Sequence, residues 1–281
     1  MSAALPVPAR RRPVPGRLLA GLAVALTAVM TVGPAWVGAR WPGSGAIGLD
    51  SLVDTVRTGF LATLTSGSGP AAPLVQAAAY WQGFHLAKAL AGVLLLGVLV
   101  TAAVRFAVRP ATAVGPWRRV TLAVAGLGLA AATAVCLLIV VANVQGAVAP
   151  LASVLTFLPV GGADPDVAAA SAGLAADLRS GSPTPAAIAL LDDFRLYHQV
   201  LVGCAAVVGV GLAVGLAAVV RAIRGRRRAA AGGRPRASAL IATAVVLAAG
   251  LAFFLMVGAA NLATAIEPAR ALAAFLDGGT G

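Results

Sequence analysis

An all-α, polytopic membrane fold is what this sequence predicts, and three observations carry the prediction. Of its 281 residues, 60% are hydrophobic and only 11% charged, against roughly a quarter charged in soluble domains. Five apolar runs are each long enough to cross a ~30 Å hydrocarbon layer as a helix, which takes roughly 20 residues. The charges between those runs segregate by sign, as they do in the loops of membrane proteins. A soluble enzyme, a collagen-like fibre and a disulfide scaffold are excluded by composition. The 33 Gly and 17 Pro do not indicate disorder in a chain so rich in apolar residues.

In chain order, residues 1–17 form an Arg/Pro-rich arm and residues 18–39 the first span. That run, behind Arg10, Arg11, Arg12 and Arg17, also has the layout of a secretory signal, with Val37-Gly38-Ala39 as a small-residue cleavage site. It is long for a signal core, so an uncleaved signal anchor is expected. Arg11-Arg12 followed by Pro13 departs from a twin-arginine signal. The other spans are expected at residues 85–104, 120–141, 200–220 and 237–260, with outer segments at 40–84 and 159–197 and a short tail at 277–281.

The net charge of +12 is uneven. Fifteen Arg lie in the arm, in the linker holding Arg105, Arg109, Arg118 and Arg119, and in the linker running from Arg221 to Arg236; none of these segments holds an acid. The opposite side carries Arg40, Arg57, Lys88, Arg179, Arg195 and Arg270 together with all nine acids. Short basic loops stay in the cytoplasm, which predicts a cytoplasmic N-terminus, an extracytoplasmic C-terminus and residence in the cell membrane. The basic linkers suit anionic headgroups, so the bilayer is the expected partner and nucleic acid is not.

The chain also resembles itself. Leu61-Ala62 through Phe84-His85 aligns with Leu174-Ala175 through Tyr197-His198 at an offset of 113, each copy containing a Ser-Gly-Ser turn and a Pro. Asn143 and Pro150 match Asn261 and Pro268 at an offset of 118. Residues 85–158 and 198–276 therefore read as two hairpin repeats in the same orientation, which predicts a pseudo-two-fold axis along the membrane normal. Short amphipathic helices on the outer face follow from periodicity: Leu151, Val154, Leu155 and Leu158 share one helical face, as do Ala269, Leu272, Phe275 and Leu276, and as do Leu49, Leu52, Val53, Val56 and Phe60. They are expected to lie on the leaflet or over the bundle mouth.

Catalytic signatures fail. The single Lys follows Ala87, so there is no P-loop; the single Glu lies far from both His, so there is no zinc-protease motif. Cys136 and Cys204 form no Cys-x-x-Cys pair, and small packing roles are expected for them. Gly211-x-x-x-Gly215 favours close helix packing but in so Gly-rich a chain specifies no dimer.

One constellation stands out. His85 and His198, the only histidines, occupy equivalent repeat positions at the expected outer entrance of two spans; Asn143 and Asn261 leave the other two at the same level. The four side chains are expected to ring the bundle mouth, with Lys88 one turn below His85 placed to hold an anionic group. Neutral imidazole ligates copper, zinc or haem iron, though haem favours a deeper His. The plainer role is that of interfacial anchors and caps. Asp192 and Asp193, absent from the first copy, are expected to complement the N-terminal dipole of their own helix.

The expected function is that of a non-enzymatic scaffold or accessory subunit, without cofactor, whose outer helices meet a membrane or extracytoplasmic protein partner or lipid. A metal- or haem-binding protein using His85 and His198 is the first alternative. A transporter of an apolar or lipid-like solute is the second.

Overall fold

The computed structural model describes residues 15–107, 115–160, 164–228 and 234–278. The arginines at 10–12 and 109, the proline at 13 and the last three residues of the tail lie outside them. Nine helices occur among the described residues: α1 (Gly16–Ala39), α2 (Leu52–Ser66), α3 (Ala72–Ala107), α4 (Pro116–Val148), α5 (Pro150–Leu155), α6 (Pro165–Ser180), α7 (Pro185–Arg228), α8 (Arg234–Ile266) and α9 (Pro268–Leu276). Five of them, α1, α3, α4, α7 and α8, are long and apolar enough to cross a membrane. The chain divides into two compact units, one from Met1–Gly33 and Lys88–Val140, the other from Pro34–Ala87 and Val141–Gly281.

The first unit packs parts of α1, α3 and α4 around Met30, Ala91, Leu95 and Cys136. Between lipid-covered helices there is no hydrophobic drive to associate, so close backbone approach and local polar contacts hold them. Gly92 permits that approach, since a Cβ there would lie 2.9 Å from Val140 Cγ2. The Cys136 thiol donates to the Gly92 carbonyl at 3.3 Å.

The second unit contains the α7–α8 hairpin and a helical head. Leu52, Val56 and Phe60 of α2, Leu74 and Tyr80 of α3, Val154 and Leu155 of α5 and Val167, Leu174 and Leu178 of α6 bury their side chains in one core with Leu190 of α7 and Leu272 and Leu276 of α9. The apolar stripes of the short helices therefore face one another. Leu49 and Val53, placed on the same stripe by periodicity, stay exposed because α2 starts only at Leu52 and turns just its Leu52–Val56–Phe60 edge inward.

Two element boundaries differ from hydropathy. α3 and α7 begin at Ala72 and Pro185, each 13 residues before its histidine. Hydropathy finds the lipid-facing length, whereas both helices continue into the head, where they are amphipathic and bury Leu74, Ala77 and Tyr80 or Ala186, Ala187 and Leu190. α6, with no counterpart in the expected elements, fills part of the expected outer segment 159–197; its Ala-rich face, buried at Val167, Ser171, Leu174, Ala175 and Leu178, gives only a weak apolar signal.

Local chemistry sets the head's turns. α2 and α6 end on Gly67 and Gly181 in the left-handed region, φ 63° and 78°. α2 approaches the start of α3 so closely that a Cβ on Gly59 would lie 2.3 Å from the Leu74 nitrogen. Asp164 caps α6 by accepting from the Asp166 and Val167 N–H groups at 3.0 and 3.2 Å. The same carboxylate pairs with Arg57 of α2, whose guanidinium also reaches Asp166 at 3.1 Å.

Two outcomes follow. Phe60→Ala removes a fully buried ring from the head core and is expected to destabilise it by about 3–5 kcal/mol, read as faster limited proteolysis within 40–80 and 159–190 in detergent; an unchanged cleavage rate would refute the core assignment. The Asp164 carboxyl is held below its ordinary value of 3.8 by the Arg57 hydrogen bond first and the Val167 N–H second. A depressed native pKa means stabilisation present above pH 3.8 and lost as pH falls through the lower native value. Asn caps a helix as well as Asp, so Asp164→Asn removes only the ion pair. Its melting temperature is expected to sit slightly below wild type at neutral pH and to converge with it on acidification below that value.

Candidate functional site

The expected ring of four polar side chains is resolved into two pairs. His85 Nδ1 of α3 lies 2.8 Å from Asn143 Oδ1 of α4, and His198 Nδ1 of α7 lies 2.7 Å from Asn261 Oδ1 of α8. Each pair links the two antiparallel helices of one hairpin. Neither histidine sits at a helix end, as the apolar runs implied; both lie in the interior of continuous helices, roughly three and a half turns from the start. Asn143 and Asn261 each precede the end of their helix by five residues. The capping role expected of these residues is thus replaced by interhelix bonding.

The hydrogen-bond chemistry fixes the tautomers. Asn261 Nδ2 donates to the Val257 carbonyl at 2.8 Å, so its oxygen is the atom turned to His198 and the imidazole Nδ1–H must donate. Around His85 the chain is longer. Trp81 Nε1–H donates to Ser153 Oγ at 3.0 Å, and an indole can only donate. With Nδ1–H donating to the Asn143 oxygen, the Nε2 of a neutral ring is an acceptor, and the Ser153 hydroxyl donates to it at 3.4 Å. A neutral His85 is satisfied at both nitrogens, and Asn143 is only 6% exposed.

Aromatic rings flank both imidazoles in matching fashion. Trp81 meets the His85 ring edge-on at 4.6 Å and Phe84 at 5.9 Å; Phe194 and Tyr197 meet His198 at 4.6 and 5.6 Å. Trp81 also stacks on Phe84 and meets Phe157. The two settings also differ. A Cβ on Gly146 would lie 2.5 Å from the His85 ring, so any side chain there displaces the imidazole; at the offset of 118 that relates Asn143 to Asn261, Thr264 stands for Gly146 and Ala271 for Ser153. The His85 pair is therefore the more enclosed.

Other polar residues near the pairs bond within the fold as well. Gln145, 5% exposed, donates to the Tyr197 carbonyl at 3.1 Å. Gln82 donates to the Ala147 carbonyl at 3.2 Å and accepts from Trp41 Nε1 at 3.2 Å. Asp193 corrects its expected role: it lies eight residues into α7, beyond the reach of that helix's N-terminus, and instead accepts the Ala152 N–H of α5 at 2.7 Å. α5 begins Ala149-Pro150 with no cap of its own, so Asp193 caps it from a neighbouring helix. Sequence spacing cannot show this, because cap and helix are 41 residues apart. Lys88 is half-buried three residues after His85 on α3, in the stretch belonging to the other compact unit. Among the described residues no group of three or more His, Cys, Asp and Glu is placed to hold a metal ion.

Comparison with protein-family models, with curated proteins and with solved structures finds no match for this chain.

A double-mutant cycle of His198→Ala with Asn261→Ala is expected to show a coupling of about 0.6 kcal/mol and at most ~1.7 kcal/mol, the range of hydrogen bonds between membrane helices. The His85–Asn143 cycle is expected to give the larger value, because Ser153 and Gly146 hold that ring as well. Thermal unfolding in detergent reads both; additive single effects in both cycles would remove the clasp role.

Proposed function

We propose that this chain is a non-enzymatic multi-pass protein of the cell membrane, a scaffold or accessory subunit that presents a folded helical head on the extracytoplasmic side. The observation that carries the reading is the use made of the two histidines. Each donates to an Asn on the neighbouring helix, and His85 meets Ser153 through its second nitrogen as well, so the two side chains serve to join helices. The head supports the same reading from another direction. Its apolar stripes are spent on its own core, so a partner meets a polar helical surface bearing the Arg57–Asp164 and Arg179–Asp277 pairs.

Orientation rests on the Arg-rich linkers: the arm and the α3–α4 and α7–α8 connections face the cytoplasm, and the C-terminus lies outside. Trp36 and Arg40 at the end of α1, with the guanidinium carbon 4.3 Å from the ring centre, suit the opposite interface. Elements α2–α5 and α6–α9 are read as a duplication in parallel orientation. α4 and α8 each have 33 residues, α2 and α6 have 15 and 16, and α5 and α9 both open on Pro. A pseudo-two-fold axis along the membrane normal then brings two His–Asn clasps into one protein.

The test combines elemental analysis, a visible spectrum and thermal unfolding of purified wild type and a His85→Ala/His198→Ala variant. The expected result is no stoichiometric metal and no Soret band in either, with a lower melting temperature in the variant. A metal or haem present in wild type and lost in the variant would replace this reading with a ligand centre at His85 and His198. Solute uptake by liposomes holding the wild type would replace it with a transporter.

A further inference from the structure

A groove of about 370 Å³ runs between α7 and α8, lined by Arg195, Gln199 and Val202 on one helix and Leu262, Ala265 and Ile266 on the other. The residues on α7 are spaced i, i+4, i+7 and those on α8 i, i+3, i+4, so each set occupies a single helical face. Ala265 forms a narrow floor at 5% exposure, while Leu262 and Ile266 leave large apolar walls 49% and 67% exposed. The polar end holds a cation without a counter-charge. Arg195 makes no ion pair or hydrogen bond with another described residue. Glu267, adjacent to Ile266, is engaged with Arg270 at 2.7 Å; Asp192, one turn before Arg195, enters no ion pair among the described residues.

Position along the helix says what such a groove meets. The apolar run of α7 at residues 200–220 spans about 30 Å at the helical rise of ~1.5 Å per residue, the thickness of the hydrocarbon layer. Arg195 stands five residues beyond that run, about 7.5 Å further on. That is headgroup depth in a bilayer whose full thickness is ~40–45 Å. An exposed guanidinium at this depth faces lipid phosphates, and its planar fork matches phosphate oxygens. Gln199, one turn nearer the hydrocarbon, adds an amide donor.

We propose that this groove is a binding site for an anionic phospholipid. Arg195 and Gln199 hold the phosphate, and the upper acyl chain lies against Val202, Leu262 and Ile266 over Ala265. The site rests on the membrane-spanning character of α7 and α8 alone and stands or falls separately from the scaffold reading. Removing one interfacial arginine is expected to lower affinity for an anionic headgroup about fivefold, since each contributes ~1 kcal/mol near a charged surface.

The experiment is native mass spectrometry of the full-length chain in detergent, titrated with dioleoyl-phosphatidylglycerol or dioleoyl-phosphatidylcholine. Wild type is expected to retain phosphatidylglycerol preferentially. Arg195→Ala is expected to lose that preference about fivefold with a smaller loss for phosphatidylcholine, whose choline offsets its phosphate charge, and Arg270→Ala, whose arginine serves Glu267, to behave as wild type. Leu262→Trp fills the groove and is expected to lower retention of both lipids. Circular dichroism of each variant separates these effects from misfolding. Equal phosphatidylglycerol retention by wild type and a folded Arg195→Ala would overturn the proposal. So would a dimer in the wild-type spectrum that Leu262→Trp dissociates, because the groove would then seat a second copy of the chain.

Discussion

In a bilayer, apolar side chains gain nothing by leaving lipid for one another, so the order of this protein depends on the few contacts that lipid cannot replace. The His85–Asn143 and His198–Asn261 bonds are such contacts. Each joins two long helices at a fixed level, and each excludes register slips, because sliding one helix by a residue turns the amide or the imidazole away. Close approach adds to this: Gly146 lets the His85 ring lie against α4, and Gly92 admits Val140.

The second source of order is the head, whose short helices pack on one another. There the short helices bury Leu, Val and Phe side chains as in a soluble domain. α3 and α7 enter the head without a break, carrying Leu74 and Tyr80 or Leu190 into its core. The two environments thus share helices but use different physics: burial in the head, small residues and hydrogen bonds along the spans. Asp193 illustrates the coupling within the second unit, since a carboxylate on a membrane-spanning helix supplies the N-terminal cap that α5 lacks.

Much of the site's membership was legible because its residues are rare. With two histidines in the chain and an Asn at the matching point of each partner run, spacing at offsets of 113 and 118 picks out all four. What spacing did not contain was their pairing. A one-dimensional pattern places four residues at one level but does not say whether they converge on an axis or bond two by two. Ser153 and Gly146 are silent in the sequence for a related reason: an isolated Ser on a short helix and one Gly among 33 carry no signal without the ring that lies against them.

Composition and hydropathy by themselves determined the helical class and the five spans, because membrane thickness imposes a length that can be counted along the chain. Periodicity determined which edges of α2, α5 and α9 are apolar. Only the tertiary structure decided what those edges meet, since an amphipathic stripe reads the same whether it faces lipid, a partner or another helix. It also decided where α3 and α7 begin, because hydropathy falls off along their first turns while the helices continue into the head. The existence of α6 belongs to the same class: its Ala-rich buried face becomes recognisable only when Phe60, Leu190 and Leu272 share its core.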